Sequence, residues 1–407
     1  MLAFEDALEK ILKHSHRLLS IRTPISLALG SVVSEEIKAR EAIPLFDSSS
    51  VDGYAVRSEE IKGASDKDPV SLPLQGTVFA GATPPHPLRP SHTMKIMTGA
   101  PLPRHADAVV MREIVRDKGG LIVFTAATKT GNNLRRRGEE FSKGEAVFLK
   151  GSLITPPVVG MCAALGYPSI KVYRKPRIAI VVNGNELRSP SVKLRPGQIR
   201  DANSFAIAAA LESIGIVPCL ILHSGDTKEH LTKIFARALR KADVVVSAGG
   251  VSVGDSDFVK DVLTDLRVRT VFWKVAMKPG KPNYFGTRGK KIIFGLPGNP
   301  VSAMVSLETL VIPALRKMMG IPYAGLAGDE AVLETDFRKV PGRIEFVRAI
   351  AARTSEGRWS VRPAVGQGSH MIGGLARANC MIVAPEECEQ ITKGETVKIR
   401  FLSWNRE

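Results

Sequence analysis

The sequence lacks long hydrophobic runs. None of its apolar stretches reaches the roughly 18 consecutive residues that a membrane-spanning helix needs. Its first twelve residues carry Glu5, Asp6 and Glu9 instead of the basic and then apolar pattern of a secretory signal. From these absences we expect a soluble, cytoplasmic protein without a membrane partner.

Cysteine and aromatic residues are also scarce. The cysteines are only four, with no CxxC pair and no histidine at zinc spacing, so we expect reduced thiols. Aromatic residues make up 6% of the chain, which leaves few surfaces for base stacking. The formal net charge is +17, but the one dense basic run is residues 135–137. Dispersed positive charge suits small anionic ligands equally well, and we expect no nucleic-acid partner.

Several common catalytic signatures are absent as well. The chain contains no Ser-His-Asp or Cys-His signature, and histidine occurs only eight times. It has no P-loop, and its Gly249-Gly250 stretch is not the glycine fingerprint of dinucleotide-binding folds. These absences disfavour nucleophilic and nicotinamide-dependent chemistry.

What is present divides the chain into regions of different pattern. Residues 1–45 look helical, because Leu8, Ile11 and Leu12 recur at near-helical spacing, followed by Leu18 and Leu19. The next region, 50–145, is rich in Pro, Gly and Thr, which is typical of a small β-rich domain. Its predicted strands are 76–80, 108–111 and 121–124.

The region 177–320 alternates between strand and helix. Predicted strands lie at 177–182, 217–222, 243–247 and 291–294, and predicted helices at 203–213, 227–241, 257–266 and from Pro300 to Met319. This alternation implies a mostly parallel sheet with helices on both faces, which binds ligands beyond the carboxyl ends of its strands. Residues 327–407 lose the alternation. Strand candidates there are 343–349, 359–362, 381–384 and 396–401.

The predicted fold class is therefore a multi-domain α/β protein. It has a central doubly wound, mostly parallel sheet domain, a β-rich second domain, an N-terminal helical and linking domain, and a small β-rich C-terminal domain. The predicted domains are 1–50 with 145–176, then 51–144, 177–326 and 327–407.

Two loops of the α/β domain place acids where such a sheet binds its ligand. After the first strand, Gly184 permits close backbone approach and Glu186 offers a carboxylate, although a tight turn with a solvated acid has the same pattern. After the second strand, Asp226 and Glu229 match a capping box before a helix. Capping and ligand binding are compatible roles for Asp226.

Two further segments suit an anionic ligand and a metal. The loop 247–257 contains three glycines and three hydroxyl residues, a composition that can aim backbone N–H groups at an anion. Its carboxylates, Asp255 and Asp257, suit a magnesium ion. The segment 274–281 carries three lysines, of which Lys274 and Lys278 would share a face if extended, as would those of a solvated basic strand.

After the last predicted strand, Gly295-Leu-Pro-Gly-Asn-Pro begins a helix. Asn299 is a good N-cap, and Pro300 suits the first helical position. An exposed helix N-terminus at this point would attract a phosphate or another oxyanion. Together with the other loops, this segment predicts a site for a phosphorylated ligand and a metal.

These motifs, in this order, resemble those of the MoeA-type molybdopterin molybdenumtransferases, the family that includes the C-terminal part of gephyrin. The resemblance covers essentially the full length. The matching segments are 50–57 (SVDGYAVR), 80–81 (AG), 95–101 (KIMTGAP), 107–111 (DAVVM), 135–140 (RRRGEE), 183–187 (NGNEL), 197–199 (GQI), 249–254 (GGVSVG), 278–282 (KPGKP) and 295–302 (GLPGNPVS).

The resemblance implies an enzyme of molybdenum cofactor biosynthesis. Its substrates would be adenylyl-molybdopterin and molybdate, with Mg²⁺ as cofactor, and its products the molybdenum cofactor and AMP. It also implies a homodimer in which each active site joins the α/β domain of one subunit to the β-rich second domain of the other. The expected partners are molybdopterin adenylyltransferase and downstream cofactor-delivery proteins or apo-molybdoenzymes.

The resemblance also implies site residues, carried over at matching positions. The candidate catalytic residues are Asp52, Thr98, Glu140, Glu186, Asp226, Asp257, Lys274 and Lys278. The candidate cofactor-binding residues are Gly249, Gly250, Ser252, Gly254, Lys281, Pro297, Gly298, Asn299 and Ser302. The candidate metal ligands are Glu186 and Asp257.

The sequence departs from the family pattern at several positions. It has Asn183 where the family usually has Ser or Thr, Val51 for Met, and Arg200 for Tyr. Glu140 replaces an Asp and keeps the charge on a longer arm. Asn185 also replaces an Asp, and the lost charge argues against a metal role there.

Two other functions stay open at this point. Molybdopterin adenylyltransferase uses the same α/β domain, but it has no need of residues 50–145 or 327–407. A non-catalytic scaffold would bind only cofactor intermediates or a partner, as gephyrin's related domain does in anchoring. The presence of Asp52, Asp257 and Lys278 argues against a scaffold that has lost catalysis.

Overall fold

The computed structural model of this chain describes residues 1–84, 86–250, 258–322 and 328–404. Two compact units make up the fold. The large unit comprises Met1–Ser34, Leu153–Thr155 and Ile170–Glu407, and the small unit comprises Glu35–Ser152 and Pro156–Ser169. Within the described ranges, no helix combines the length and the apolar character needed to cross a membrane.

Three six-stranded sheets and eight α-helices dominate the described residues. The strands of these sheets are β1 (Gly53–Val56), β2 (Val70–Val78), β3 (Thr93–Ile96), β4 (Ala108–Met111), β5 (Val115–Asp117), β6 (Leu121–Phe124), β7 (Ile178–Asn183), β8 (Leu220–Ser224), β9 (Val244–Ala248), β10 (Arg269–Trp273), β11 (Met277–Lys278), β12 (Tyr284–Arg288), β13 (Lys291–Leu296), β14 (Asp329–Leu333), β15 (Ile344–Arg353), β16 (Trp359–Pro363), β17 (Cys380–Ala384) and β18 (Thr396–Phe401). The helices are α1 (Phe4–His14), α2 (Pro156–Ala164), α3 (Asn203–Ser213), α4 (Lys228–Lys241), α5 (Val259–Asp265), α6 (Pro300–Ser306), α7 (Ile312–Met318) and α8 (Ile372–Ala376).

Shorter elements complete the described chain. Two-stranded pairs join Ser20–Pro24 to Ser169–Tyr173, Ile37–Lys38 to Ala146–Phe148, Ser48–Ser49 to Leu134–Arg135, Leu187–Arg188 to Ile199–Arg200, and Phe337–Arg338 to Gln390–Ile391. Single 3₁₀ turns lie at Ile25–Leu27, Ser58–Ile61 and Arg112–Ile114.

The central sheet of the large unit has the order β8-β7-β9-β13-β12-β10. Strands β8, β7, β9 and β13 are parallel. At one edge, β12 runs antiparallel to β13, and β10 runs antiparallel to β12 and therefore in the direction of the parallel strands. The prediction of a mostly parallel sheet is therefore confirmed. The edge strands β10 and β12 were both missing from the prediction, and Gly286 weakens the strand pattern of β12.

Helices cover both faces of this central sheet. On one face, Ile180 and Val246 pack in a core with residues of α1, α3, α6 and α7. On the other face, Val181 and Val245 pack against α4 and α5. Because both faces are buried, the strands are continuous apolar runs instead of alternating ones, as the sequence of β7 and β9 shows.

The C-terminal part of the large unit is a second sheet, with the order β11-β15-β16-β14-β18-β17. An additional pairing of β15 with β17 closes five of these strands into a barrel-like sheet. The prediction of a β-rich C-terminal region is confirmed. The two-residue strand β11 comes from the lysine-bearing segment 274–281, named the lysine segment below, and pairs in parallel with β15.

The small unit is built on the sheet β4-β1-β3-β2-β6-β5, which confirms the predicted β-rich region. The strand predicted at 76–80 instead forms the end of β2. Gly53, which follows Asp52, lies so close to β4 that a Cβ atom there would be 2.1 Å from the Val110 carbonyl oxygen. Only glycine fits this position, and it fixes the backbone beside Asp52.

The helix predicted through residues 1–45 is wrong beyond His14. Helix α1 ends at His14, where the Ser15 hydroxyl donates back to the Ile11 carbonyl oxygen at 2.8 Å. The Leu18 N–H then donates to the distant Met318 carbonyl oxygen at 2.9 Å. Leu18 packs against the core of the large unit without being helical, and periodicity alone does not distinguish such a contact from a helix.

The single helix predicted up to Met319 is interrupted. A π-helical segment, Leu307–Val311, separates α6 from α7 and contains Glu308, which is 1% exposed. Burial raises the pKa of Glu308, although hydrogen bonds from Ser403 and the nearby Arg400 oppose the rise. The Ser403 hydroxyl donates to the Glu308 carboxylate at 2.6 Å. This hydrogen bond connects the π-helical segment to the chain that follows the last strand of the barrel.

At the amino edge of the central sheet, Asp243 binds two arginines. Its carboxylate accepts hydrogen bonds from the Arg174 guanidinium at 2.6 and 3.0 Å and from the Arg177 N–H at 2.8 Å. Burial alone would raise the pKa of Asp243, but these hydrogen bonds lower it from 3.8 to about 2. The ionised carboxylate is therefore part of the folded state.

We expect Asp243→Asn to destabilise the protein by about 2 kcal/mol at pH 7, since each unit of pKa shift corresponds to about 1.4 kcal/mol. Because the folded pKa is depressed, this stabilisation is present above the unfolded pKa and disappears as the pH falls from about 4 towards 2. Urea unfolding at pH 7 and pH 3 measures the difference. The exposed pair of Glu229 and Lys233 is the control, and Glu229→Gln should change stability little. An equal loss for Asp243→Asn at both pH values would contradict the prediction.

Candidate functional site

The predicted loops converge at one edge of the central sheet. In the register of the parallel strands, Asn183 lies opposite Ser224, and Ala248 lies opposite both Val182 and Leu296. Strands β7, β8, β9 and β13 therefore end side by side, and this edge is called the carboxyl edge below. It is the place at which open α/β sheets bind their ligands.

A glycine turn follows β9 at the carboxyl edge. Gly249 and Gly250 have φ angles of 91° and 67°, and a Cβ atom on Gly250 would lie 2.2 Å from the Asn183 amide. In the amide orientation that satisfies both groups, Asn183 donates to the Gly249 carbonyl oxygen at 2.8 Å and accepts from the Gly250 N–H at 3.3 Å. The departure from the family pattern at Asn183 thus supplies two hydrogen bonds to this turn. The predicted Ser252, Gly254, Asp255 and Asp257 lie outside the described residues.

Two carboxylates occupy the ends of the neighbouring strands β7 and β8. Glu186 folds back over Gly184, where a Cβ atom would lie 2.7 Å from both carboxylate oxygens. Asp226 accepts a hydrogen bond from the Asn185 N–H at 3.0 Å. The capping role predicted for Asp226 is wrong, because the Thr227 hydroxyl accepts from the His230 N–H and caps α4.

The donor set at the carboxyl edge suits a magnesium ion that shares its ligands with a substrate. Glu186 and Asp226 supply carboxylate oxygens, which Mg²⁺ takes together with phosphate oxygens and water. Within the part of the chain that the structure describes, no three His, Cys, Asp or Glu side chains come together as a complete metal site. The described residues therefore fit a partial magnesium site better than an all-protein cage.

The lysine segment is held by strand partners from distant parts of the chain. The Leu2 N–H donates to the Lys274 carbonyl oxygen at 3.3 Å, and the Ala276 N–H donates to the Leu2 carbonyl oxygen at 2.8 Å. Lys274 has a φ of 111°, which lies outside the extended region. The prediction that Lys274 and Lys278 share a face of one extended strand is therefore wrong.

The turn between Lys278 and Lys281 packs on helix α6. Gly280 has a φ of 109°, and a Cβ atom there would lie 2.7 Å from the Ser306 hydroxyl oxygen. The buried Asn283 amide donates to the Gly280 carbonyl oxygen and to the Ser306 hydroxyl, the latter at 2.9 Å. Contacts with helix α6 therefore fix the turn, while the side chains of Lys278 and Lys281 remain exposed.

The loop after β13 begins helix α6 as predicted, with Asn299 at the N-cap position and Pro300 in the first turn. The Asn299 side chain does not cap the helix but donates to the Ser369 hydroxyl at 3.0 Å. The Gly298 carbonyl oxygen accepts from the Asn203 side chain at 2.8 Å. Pro297 and Ser302 are buried, so both support this loop from within.

The sequence-based prediction placed no site residue in the C-terminal region, yet two polar residues there contact predicted ones, and a buried arginine lies on the same strand as one of them. Glu345 forms an ion pair with Lys278 at 3.0 Å, and Ser369 binds Asn299. Arg348 is 1% exposed and donates to the Gly366 carbonyl oxygen at 2.8 Å. A sequence signal exists for two of them, because Glu345 and Arg348 are charged residues inside the otherwise apolar strand β15.

The small unit contains the other predicted acids. Asp52 accepts hydrogen bonds from the Thr98 N–H at 2.8 Å and from the Thr98 hydroxyl at 2.7 Å, so the structure joins these two predicted residues. The hydrogen bonds from the Thr98 N–H and hydroxyl lower the pKa of Asp52 below its ordinary 3.8. Glu140 is exposed, and its N–H donates to the Ile43 carbonyl oxygen at 3.0 Å.

Three parts of the chain match families of one protein type. Residues 2–166 match the MoeA N-terminal region (domain I and II), residues 179–317 a probable molybdopterin binding domain, and residues 330–402 the MoeA C-terminal region (domain IV).

Relatives match over nearly the whole length. Molybdopterin molybdenumtransferase 2 of Mycobacterium tuberculosis is 35% identical over 384 residues, which cover 93% of this chain and 94% of the relative. Molybdopterin molybdenumtransferase of Haemophilus influenzae is 34% identical over 377 residues, 91% of each chain. A crystal structure of the molybdopterin biosynthesis MoeA protein of Pyrococcus horikoshii has a TM-score of 0.81 and 31% identity, with 99% of both chains covered. The chain therefore belongs to the MoeA family of molybdopterin molybdenumtransferases, the transferases of molybdenum cofactor biosynthesis.

Proposed function

We propose that this enzyme inserts molybdate into adenylyl-molybdopterin with the help of Mg²⁺, and that it releases AMP and the molybdenum cofactor. The observation that carries the proposal is that the large unit contains both exposed lysines, which suit an anion, and carboxylates, which suit a metal ion. Lysines of the lysine segment suit an oxyanion, and the carboxylates of Glu186 and Asp226 at the carboxyl edge suit a metal-bound pyrophosphate. The glycine turn at Gly249 and Gly250 lies at the same edge, where a side chain in place of Gly250 would collide with Asn183.

The residues of this chain have distinct roles in the proposed reaction. Lys278, assisted by Lys274 and Lys281, donates hydrogen bonds to molybdate oxygens. These bonds hold the dianion beside the dithiolene sulfurs of adenylyl-molybdopterin. Glu186 and Asp226 would hold Mg²⁺ together with Asp257. When bound, the metal would polarise the pyrophosphate and make its cleavage easier.

We further propose that the enzyme is a cytoplasmic homodimer with composite sites. Asp52, Thr98 and Glu140 of one subunit would complete the site formed by the lysine segment and carboxyl edge of the other. The hydrogen bonds from Thr98 support this role, since they keep Asp52 ionised and oriented. The enzyme would receive its substrate from molybdopterin adenylyltransferase and pass its product to delivery proteins or apo-molybdoenzymes.

The proposal is tested with the purified chain, adenylyl-molybdopterin, Mg²⁺ and molybdate. We expect AMP release that requires both Mg²⁺ and molybdate, together with reconstitution of an apo-molybdoenzyme. A chelator should stop the reaction, and added Mg²⁺ should restore it. AMP release at an undiminished rate in chelator and without molybdate would contradict the proposed chemistry.

A further inference from the structure

In the lysine segment, the exposed ammonium of Lys278 is already paired with a nearly buried carboxylate. The Glu345 carboxylate lies 3.0 Å from the Lys278 ammonium, and the Glu345 side chain is 11% exposed against 49% for Lys278. The two residues are also direct partners in the pairing of β11 with β15. Their contact therefore follows from the strand register and not from a chance meeting of two surface side chains.

A second cation lies on the same strand. Arg348 is 1% exposed, and its guanidinium donates to the carbonyl oxygens of Gly366 at 2.8 Å and Gly368 at 3.4 Å. Its Nε has no partner among the described residues. Burial lowers the pKa of Arg348, and the Glu345 charge opposes that decrease. Glu345 thus forms an ion pair with Lys278, and its charge also acts electrostatically on Arg348.

We infer that Glu345 is the resident counter-ion of Lys278 and sets the affinity of the enzyme for its oxyanion. This inference rests on the proposed function, because it takes Lys278 as a molybdate-binding residue. An incoming tetrahedral dianion must draw the ammonium away from a carboxylate that is itself nearly buried. Glu345 therefore weakens the binding of every such dianion, and it keeps the lysine ordered and the site unoccupied by common anions until the substrate competes successfully.

The charge of Glu345 can be separated from its hydrogen bond. Glu345→Gln keeps an oxygen that accepts from Lys278 but removes the negative charge, and Glu345→Leu is a second neutral variant. Glu345→Asp keeps the charge on a shorter arm. Glu356→Gln is the control, since Glu356 pairs loosely with Arg358 at 3.9 Å in the same barrel and is 74% exposed.

The readout is the equilibrium dissociation constant of molybdate, and of sulfate, for the full-length protein by calorimetry. Glu345→Gln should tighten both by about tenfold or more, because a unit charge near a dianion has a large effect in a partly buried site. Glu345→Asp and Glu356→Gln should stay within about threefold of wild type. Circular dichroism identifies which neutral variants fold, and either one that folds decides the question.

Two outcomes overturn the inference. If a folded neutral variant binds molybdate as wild type or more weakly, Glu345 only positions Lys278 and does not compete with the oxyanion. If the Asp variant tightens binding as much as the neutral ones, geometry and not charge is responsible. A separate variant tests the proposed function itself. If Lys278 does not bind molybdate, Lys278→Ala leaves the molybdate dissociation constant unchanged.

Discussion

Lys278→Ala is expected to lower molybdate-dependent AMP release by about 100-fold or more. Lys278 is an exposed cation of a turn whose backbone Asn283 and Ser306 fix on helix α6, and its ammonium is held in place by Glu345. Removal of this ammonium also leaves Glu345 as a nearly buried carboxylate without its partner, which repels molybdate further. The rate of AMP release at saturating adenylyl-molybdopterin, measured against molybdate concentration, checks the prediction.

Two variants control for charge and for general damage. Lys278→Arg keeps the positive charge and should retain more activity than the alanine variant. Lys233→Ala removes an exposed lysine of helix α4 that pairs with Glu229 at 2.6 Å, and it should leave the rate unchanged. Normal turnover by Lys278→Ala, with the metal and substrate requirements intact, would remove Lys278 from the proposed site.

Mixing two inactive variants should restore about a quarter of the wild-type activity. In the proposed homodimer, each site joins Asp52 of one subunit to Lys278 of the other. Asp52→Ala and Lys278→Ala homodimers then have two broken sites each. In a mixed dimer both lesions fall in one site and the second is intact. Random exchange makes about half of the dimers mixed, so about a quarter of the sites are wild type.

The measurement is AMP release before and after subunit exchange, with exchange followed by mass-tagged chains. Each variant alone, taken through the same procedure, is the control and should stay inactive. If exchange is complete and no activity returns, Asp52 and Lys278 do not meet across subunits, and the composite site is wrong.

The parallel core of the large unit could be predicted because its pattern is local. Strands such as β9 are short apolar runs, and helices such as α3 lie between recognisable start and stop signals. The helix predicted over residues 1–45 failed for the opposite reason. Past His14 the chain makes backbone bonds with distant segments, as the bond from Leu18 to Met318 shows.

The geometry of the candidate site could be predicted from the sequence in part, and the part that could not lies in side-chain pairing. The loops at Glu186, Asp226 and Gly249 follow strands that can be read from the sequence, and strand direction brings them to one edge. The partner of Lys278 could not be read in that way. Glu345 is reached through a parallel pairing between two segments far apart in the chain, and nothing in either segment alone specifies that register.

The strand partners of the lysine segment have a consequence for the order of synthesis. One partner, Leu2, precedes the lysine segment in the chain and is made before it, whereas the other, Glu345, follows Lys278 by more than sixty positions. A nascent chain that ends after the central sheet can complete that sheet's parallel core but cannot pair β11 with β15. Its lysine would lack both its strand neighbour and its counter-ion. An incomplete chain thus has the parallel core of the central sheet without the strand pairing that holds Lys278, because the barrel follows that sheet in the chain.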